Sequence, residues 1–321
     1  MKKSTIREIA RQIGVAPVTV YRALAGENCV AAETRRKIIR CAYENGYILP
    51  EHHSRNVAIV VSHFNFAGYP GQMLRQLEKA LHEAGYHIVL LPEMDIQVLG
   101  DHMFAGVISM VWKEDDVLAL PREFSLPVVS LNVTFSVMEN ISRVASDKNG
   151  VTMALDYLKK HGCRRIFFVG TLVENNPCAK ERLDEFYNFC KVNGMDFEKF
   201  NASVAASDID RAIPEIIASN ADGVFCASET FAFHVGRKLQ DRGIKIPDDV
   251  SLMGLEEKEL NTAFSPPITA IRQDFEKLAA ITVDILTQSV ENQLAAKNIR
   301  IPYTLIERGS VRKNPSEQSH A

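Results

Sequence analysis

The sequence predicts two architectures in one chain: an N-terminal three-helix headpiece of the helix-turn-helix type, and an α/β body of two doubly wound parallel-sheet subdomains. Three observations predict this. The chain has 321 residues, more than one small core organises. Apolar residues in the first fifty recur at helical spacing among basic ones. From Val57 onward, apolar runs of strand length alternate with amphipathic helices, the pattern of a parallel sheet.

The first helix starts at Ser4 or Thr5, with Glu8 placed to close a capping box. Ile6, Ile9, Ala10 and Ile13 form one apolar stripe, and Gly14 ends the helix. Val15 and Ala16 make a turn. Pro17 suits the first position of a second helix, where no N–H is needed, and Gly26 closes it. Val20, Ala23 and Leu24 can face the first helix. A third helix follows from about Ala32, with Ile38, Ile39, Ala42 and Tyr43 available for the core and Arg35, Arg36, Lys37 and Arg40 around it. Two short helices braced by a third at a fixed turn can place the second in a major groove, where base edges carry a full donor and acceptor code. A three-helix bundle used for packing or protein contact is the alternative.

Charge agrees with the first reading. Residues 1–56 carry ten Lys and Arg against five acids, a surplus of +5, so the remainder carries −8 of the formal net −3. A basic module on an acidic body points to a polyanion partner for the module alone, although a solvated charged surface has the same composition.

The order "TIREIARQIGVAPVTVYRALAG", then "VAAETRRKIIRCAYENGY", resembles the headpiece of the lactose-repressor (LacI/GalR) family. That family writes T-I-x-x-V-A-x-x-A-G-V-S-x-x-T-V-S-R-x-L-N-G, followed by V-S-x-x-T-R-x-x-V and A-x-x-L-G-Y. The resemblance implies that positions 17, 18 and 22 reach base edges. Here they are Pro17, Val18 and Arg22, so Arg22 is the polar reader, able to pair bidentately with guanine, while Pro17 and Val18 offer apolar contact. It also puts Thr5, Ala16, Thr19, Tyr21, Thr34 and Arg35 in the DNA-facing set. The headpiece is expected over 1–49 and a linker over 50–56. The family's linker holds a hinge helix with a wedging leucine. Here "ILPEHHSRN" leaves nine residues before Val57, so the hinge helix is expected to be truncated or absent.

The body, 57–321, reads as "VAIVVS" (strand), "PGQMLRQLEKALHEAGY" (helix, Met73, Leu74, Leu77 and Leu81 on one face), then the strands "HIVLL", "AGVISMVW" and "PVVSLN". The segment between the second and third strands is short, so a reduced helix is expected there. The second half follows with "GVTMALDYLKKHGC" (helix), "RIFFVG" (strand), "RLDEFYNFCKVNG" (helix), "ADGVFCAS" (strand), "ETFAFHVGRKLQDRG" (helix) and "VSLMGLE" (strand). No G-x-G-x-x-G, P-loop, G-x-S-x-G or H-E-x-x-H occurs, and the nine histidines are scattered, so neither enzyme, cofactor nor metal is expected. None of the six cysteines forms a C-x-x-C pair, consistent with reduced thiols. No apolar run reaches about 18 residues, and charges interrupt the N-terminus, so neither a membrane span nor export is expected, and the location is read as cytoplasmic.

The body is similar to the same family's effector module, a periplasmic-binding-protein-like fold. "LDYLKKHGCRRIFFVG" resembles L-x-x-x-G-H-R-R-I-x-x-I-G, and "DRGIKIPDDVSLMGLEE" resembles G-x-x-V-P-x-D-V-S-V-x-G-F-D-D. The resemblance implies subdomain crossings near 145, 273 and 302. It also implies an effector between the halves, most naturally a sugar, touching Tyr69, Asp147, Arg182, Ser228, Glu229 and Glu256. Arg182 keeps the family's arginine, while Ser228-Glu229, Glu256 and Ser146-Asp147 depart from its Asn-Asp, Asp and Asp-Asn. Tyr69 and Trp112 are aromatic candidates for a sugar face, with packing as the other role for Trp112. The implied function is a homodimeric regulator, repressor or activator, on a pseudo-palindromic double-stranded DNA operator. The tail "VRKNPSEQSHA" lacks heptads and so favours a dimer. A sugar-binding receptor without a DNA role is the rival class.

Overall fold

The computed structural model describes residues 4–27, 29–45, 47, 55–62, 64, 66, 68–110, 120, 126–131, 141–172, 177–292 and 296–313. The linker stretch 48–54, Trp112 and the tail from 314 lie outside them, so the hinge expectation and the Trp112 roles fall there too.

The headpiece helices are α1 (Ile6–Ile13), α2 (Pro17–Leu24) and α3 (Ala32–Glu44). The capping box is formed: the Glu8 amide donates to Thr5 Oγ1 at 3.3 Å, and Glu8 Oε2 accepts from the Thr5 amide at 2.7 Å. Gly14 takes φ 79°, the left-handed conformation a side chain resists, and so turns the chain sharply into α2. Ile9, Ala10, Val20, Ala23, Leu24, Ile38, Ile39 and Ala42 fill one core. Helices of eight residues are marginal alone, so each depends on this shared core.

The chain divides into two compact units. One holds 1–66, 70–145 and 276–299; the other holds 67–69, 146–275 and 300–321. In the first sheet, β1 (Asn56–Val61), β2 (His87–Pro92), β3 (Gly106–Met110), β4 (Val128–Ser130) and β5 (Ile141–Ser146) run parallel, in the order β5-β4-β3-β1-β2. The near-continuous burial of β1, β3 and β4 explains their unbroken apolar runs. Helix α4 (Tyr69–Glu83) buries Met73, Leu77 and Leu81. Between β2 and β3 stands a 3-10 segment, Glu93–Gly100.

In the second sheet, β6 (Ile166–Thr171), β7 (Asn201–Val204), β8 (Gly223–Cys226), β9 (Ser251–Leu255) and β10 (Thr269–Arg272) are parallel, ordered β10-β9-β8-β6-β7. Its helices are α5 (Gly150–Lys160), α6 (Pro177–Asn193), α7 (Ala212–Ala218), α8 (Phe231–Gln240) and α9 (Lys258–Ala263). Phe167, Phe168, Phe186, Phe225 and Phe231 dominate the core there. Helix α10 (Phe275–Asn292) follows β10. Two short strands then complete the sheets one after the other: β11 (Asn298–Ile301) pairs beside β5, and β12 (Thr304–Ile306) pairs antiparallel with β10.

Candidate functional site

The outer face of α2 is built by the burial of its inner one. Val20, Ala23 and Leu24 turn inward, which leaves Pro17, Val18, Tyr21 and Arg22 outward. Val18 is 52% exposed and Tyr21 55%, large apolar surfaces that no part of the described headpiece covers. Arg22 reaches across this face; its Nε lies 3.6 Å from Glu27 Oε2, with both side chains about half exposed, a contact of little strength that a better partner displaces. Ala16 is exposed at the N-cap position, and Thr19 is half-buried. Arg7 and Arg11 are exposed on α1.

Three expected DNA contacts stand differently. Arg35 points inward: it is 8% exposed, and its guanidinium donates to the Glu27 carbonyl at 2.7 Å and the Val30 carbonyl at 3.4 Å. It pins the α2–α3 connection, so its guanidinium is engaged inside the headpiece rather than extended from its surface. Thr5 uses its hydroxyl in the capping box, and Thr34 is half-buried. The other basic residues of α3 have acidic partners: Arg36 pairs with Asp101, Lys37 with Glu33 and Arg40 with Glu44.

A second cluster assembles in the unit that holds α6, beyond the carboxyl end of β8, where ligands of doubly wound sheets bind. Arg182, on α6, donates to the Ala227 carbonyl at 3.1 Å and to the Tyr303 hydroxyl. Burial alone would lower its pKa; Tyr303, Glu229 and Cys178 around it more than reverse that, so the guanidinium is firmly charged. Burial raises the Tyr69 hydroxyl well above the usual phenol range, with Cys178, Tyr303 and Glu229 adding and Arg182 opposing. Tyr303 shifts upward through burial, against the pull of Arg182. The Tyr69 ring sits 5.6 Å from that of Phe275. Gln273 Nε2 donates to Glu229 Oε1 at 3.4 Å and its Oε1 accepts from Ser146 Oγ at 2.8 Å.

Tyr69, Arg182 and Glu229 are thus brought together as the sequence suggested. Ser228 is half-buried next to Glu229. Asp147 stands at the edge, where its Oδ1 accepts from the Lys148 amide at 2.6 Å and its charge acts on Glu185. Glu256 departs from expectation. Only 6% exposed, it receives Arg308 Nη2 at 2.6 Å, Arg308 Nη1 at 2.9 Å and Asn261 Nδ2 at 3.0 Å. With both oxygens engaged from within its own unit, it is held as a structural strut would be. Sequence reasoning missed Gln273, Cys178 and Tyr303. The Tyr303 ring packs so closely on Gly150 that a Cβ there would stand 2.5 Å from it, so that position admits only glycine while the ring is there.

Further charged groups lie on and beside α6. Arg300 Nη2 pairs with Glu181 Oε1 at 3.2 Å. Glu185 accepts from the Thr152 amide at 3.4 Å, and its carboxyl is pushed up to about 7, by burial first and by Glu181 and Asp147 further. Among the described residues, no group of three or more His, Cys, Asp or Glu could hold a metal ion, and no helix is long and apolar enough to cross a membrane.

Residues 155–311 match the family described as a periplasmic binding protein-like domain. Over 96% of its length the chain is 24% identical to the HTH-type transcriptional regulator RegA of Clostridium saccharobutylicum, covering 99% of that protein. It is 26% identical over 97% of its length to the ribose operon repressor of Bacillus subtilis, and 22% over 97% to the HTH-type transcriptional repressor PurR of Aliivibrio salmonicida, in each case across 99% of the relative. Among solved structures, a complex of the transcriptional regulator CelR with cellobiose superposes at TM-score 0.70, with 23% identity over 96% of this chain and 99% of that one. The lac repressor dimer bound to operator and the anti-inducer ONPF superposes at 0.71, with 19% identity over 97% and 100%.

Proposed function

We propose that this chain, a member of the lactose-repressor (LacI/GalR) family, is a sequence-specific DNA-binding repressor whose grip on its operator is set by a small neutral sugar. The observation that carries the DNA part is the outward face of α2, where Pro17, Val18, Tyr21 and Arg22 stand clear of the headpiece core. Arg22 reads a guanine by bidentate hydrogen bonds, and Val18 and Tyr21 press on thymine methyls. Residues 1–49 do the reading, 50–56 link, and 57–321 bind effector and pair two copies into a dimer. The dimer presents two headpieces to a pseudo-palindrome. The protein works in the cytoplasm and catalyses nothing.

The effector sits at the Arg182 cluster. Arg182 already faces Glu229, so a carboxylate or phosphate would meet a site whose positive charge is balanced. A polyol suits it better: its hydroxyls donate to Glu229 and accept from Arg182, and its apolar face lies on Tyr69. Relatives point the same way through their names, which include a ribose operon repressor and a cellobiose complex. Linkage requires DNA to change sugar affinity by the factor by which sugar changes DNA affinity.

The test is selection of random duplexes on the purified chain, repeated with a panel of sugars including ribose and cellobiose. A palindromic sequence should emerge, and one sugar should shift its affinity. No enrichment over random DNA would remove the DNA reading; enrichment indifferent to every sugar, with none bound in calorimetry, would remove the sugar.

A further inference from the structure

We infer that the headpiece is clasped directly to its own unit through α3, and that this clasp selects the spacing between half-sites. The inference rests on the DNA reading proposed above. Arg36 and Tyr43 lie seven residues apart, two turns, and so share one face of α3. Both meet the short segment that follows the 3-10 turn. Arg36 donates through Nε to Asp101 Oδ1 at 2.8 Å and through Nη2 to Asp101 Oδ2 at 3.1 Å, a two-point contact that fixes orientation as well as distance. The Tyr43 hydroxyl donates to the Phe104 carbonyl at 2.9 Å and accepts from the Phe104 amide at 2.7 Å. Its ring packs against the cluster of Phe104 and Leu99 on one side and the headpiece core on the other, and Met103 also packs on that core.

Arg36 is therefore held by a carboxylate of the body and is not a phosphate contact. The geometric consequence is larger. Nine residues separate Tyr47 from Val57. Nine residues of chain reach at most about 30 Å, so length alone would leave the headpiece several base pairs of latitude. Sliding a half-site by one base pair also turns it about 35° around the duplex axis. A tethered reader follows that turn; one fastened at Asp101 and Phe104 does not.

The experiment uses the full chain and duplexes carrying two copies of its selected half-site, with the centre lengthened or shortened one base pair at a time, together with a single half-site. The wild-type chain should prefer one spacing sharply. Tyr43→Phe keeps the ring and leaves the Phe104 amide and carbonyl without their partner, and should cut the ratio between the best spacing and its neighbours by about fivefold or more. Asp101→Asn should act in the same direction. Neither should change binding to the single half-site. Hydrogen exchange reads the clasp independently: the Phe104 amide should be protected in the wild-type chain and faster in Tyr43→Phe. A variant that loses this protection yet keeps the wild-type spacing ratio overturns the inference, as does an unprotected Phe104 amide in the wild-type chain. If no half-site is selected at all, the DNA reading fails instead, and exchange at Phe104 still decides whether the clasp exists.

Discussion

Replacing Arg308 with Met tests whether Glu256 is a strut or an effector ligand. Arg308 and Glu256 are 14% and 6% exposed, joined by bonds of 2.6 and 2.9 Å, and Arg308 Nη1 also donates to the Ile268 carbonyl at 2.6 Å. Met fills much of the same volume but strands a buried carboxylate with Asn261 as its remaining donor. Breaking one side of a buried pair costs about 3–5 kcal/mol. For a unit of about 150 residues, each kcal/mol lowers the melting temperature by roughly 2–4 °C, so a fall of about 6–20 °C is expected. Scanning calorimetry on the full chain reads it, with sugar titration of the same sample at a temperature where it is folded. Adding Glu256→Leu should restore most of the loss, because the stranded charge is gone. The reasoning is refuted if Arg308→Met melts with the wild-type chain while sugar binding disappears; Glu256 would then belong with the ligand groups.

Three further outcomes are expected. Arg22→Ala should weaken operator binding by about 1–3 kcal/mol while leaving binding to random DNA nearly unchanged, read by competition; equal losses on both would make Arg22 a phosphate contact. Arg182→Met should weaken sugar binding by about 1.5–3 kcal/mol in calorimetry and leave sugar-free DNA binding intact, and an unaltered sugar affinity would take Arg182 out of the site. Glu185 holds its proton more tightly folded than unfolded, near 7 against an ordinary 4.5. Its stabilising contribution is therefore full below the unfolded value and lost as pH rises through the folded one, by about 1–2 kcal/mol once its partial exposure is allowed for. Glu185→Gln should flatten the melting temperature between about pH 5 and pH 8, and an unchanged profile would dismiss that carboxyl as its source.

The headpiece was legible almost residue by residue because its signals are local. Thr5 and Glu8 cap, Gly14 turns and Pro17 starts a helix through contacts within a few positions of one another. The separate uses of Arg35 and Arg36 were not legible, because in sequence a basic run looks uniform. One arginine turns inward to carbonyls of the preceding loop, and its neighbour finds an aspartate 65 positions away. The body's strands were legible from their apolar runs, and Arg182 through the family resemblance alone. Gln273 and Tyr303 were not, since nothing local marks a side chain that joins a cluster from 44 positions beyond Glu229 or from the link between two strands. Glu256 was visible as a carboxylate, but its use depends on Arg308, 52 positions later.

The consecutive strands β11 and β12 impose an order on biosynthesis. β5 is complete at Ser146 and β10 at Arg272, yet their outer neighbours come from Asn298–Ile301 and Thr304–Ile306. At about 5–20 residues per second, β5 waits with a bare edge for roughly 8–30 s behind the ribosome, and β10 for only about 2–6 s. Bare edges invite pairing with other nascent chains. The first sheet is thus the one whose β5 edge stands open longer during translation, and a chain released before residue 298 lacks the outer strand of both sheets.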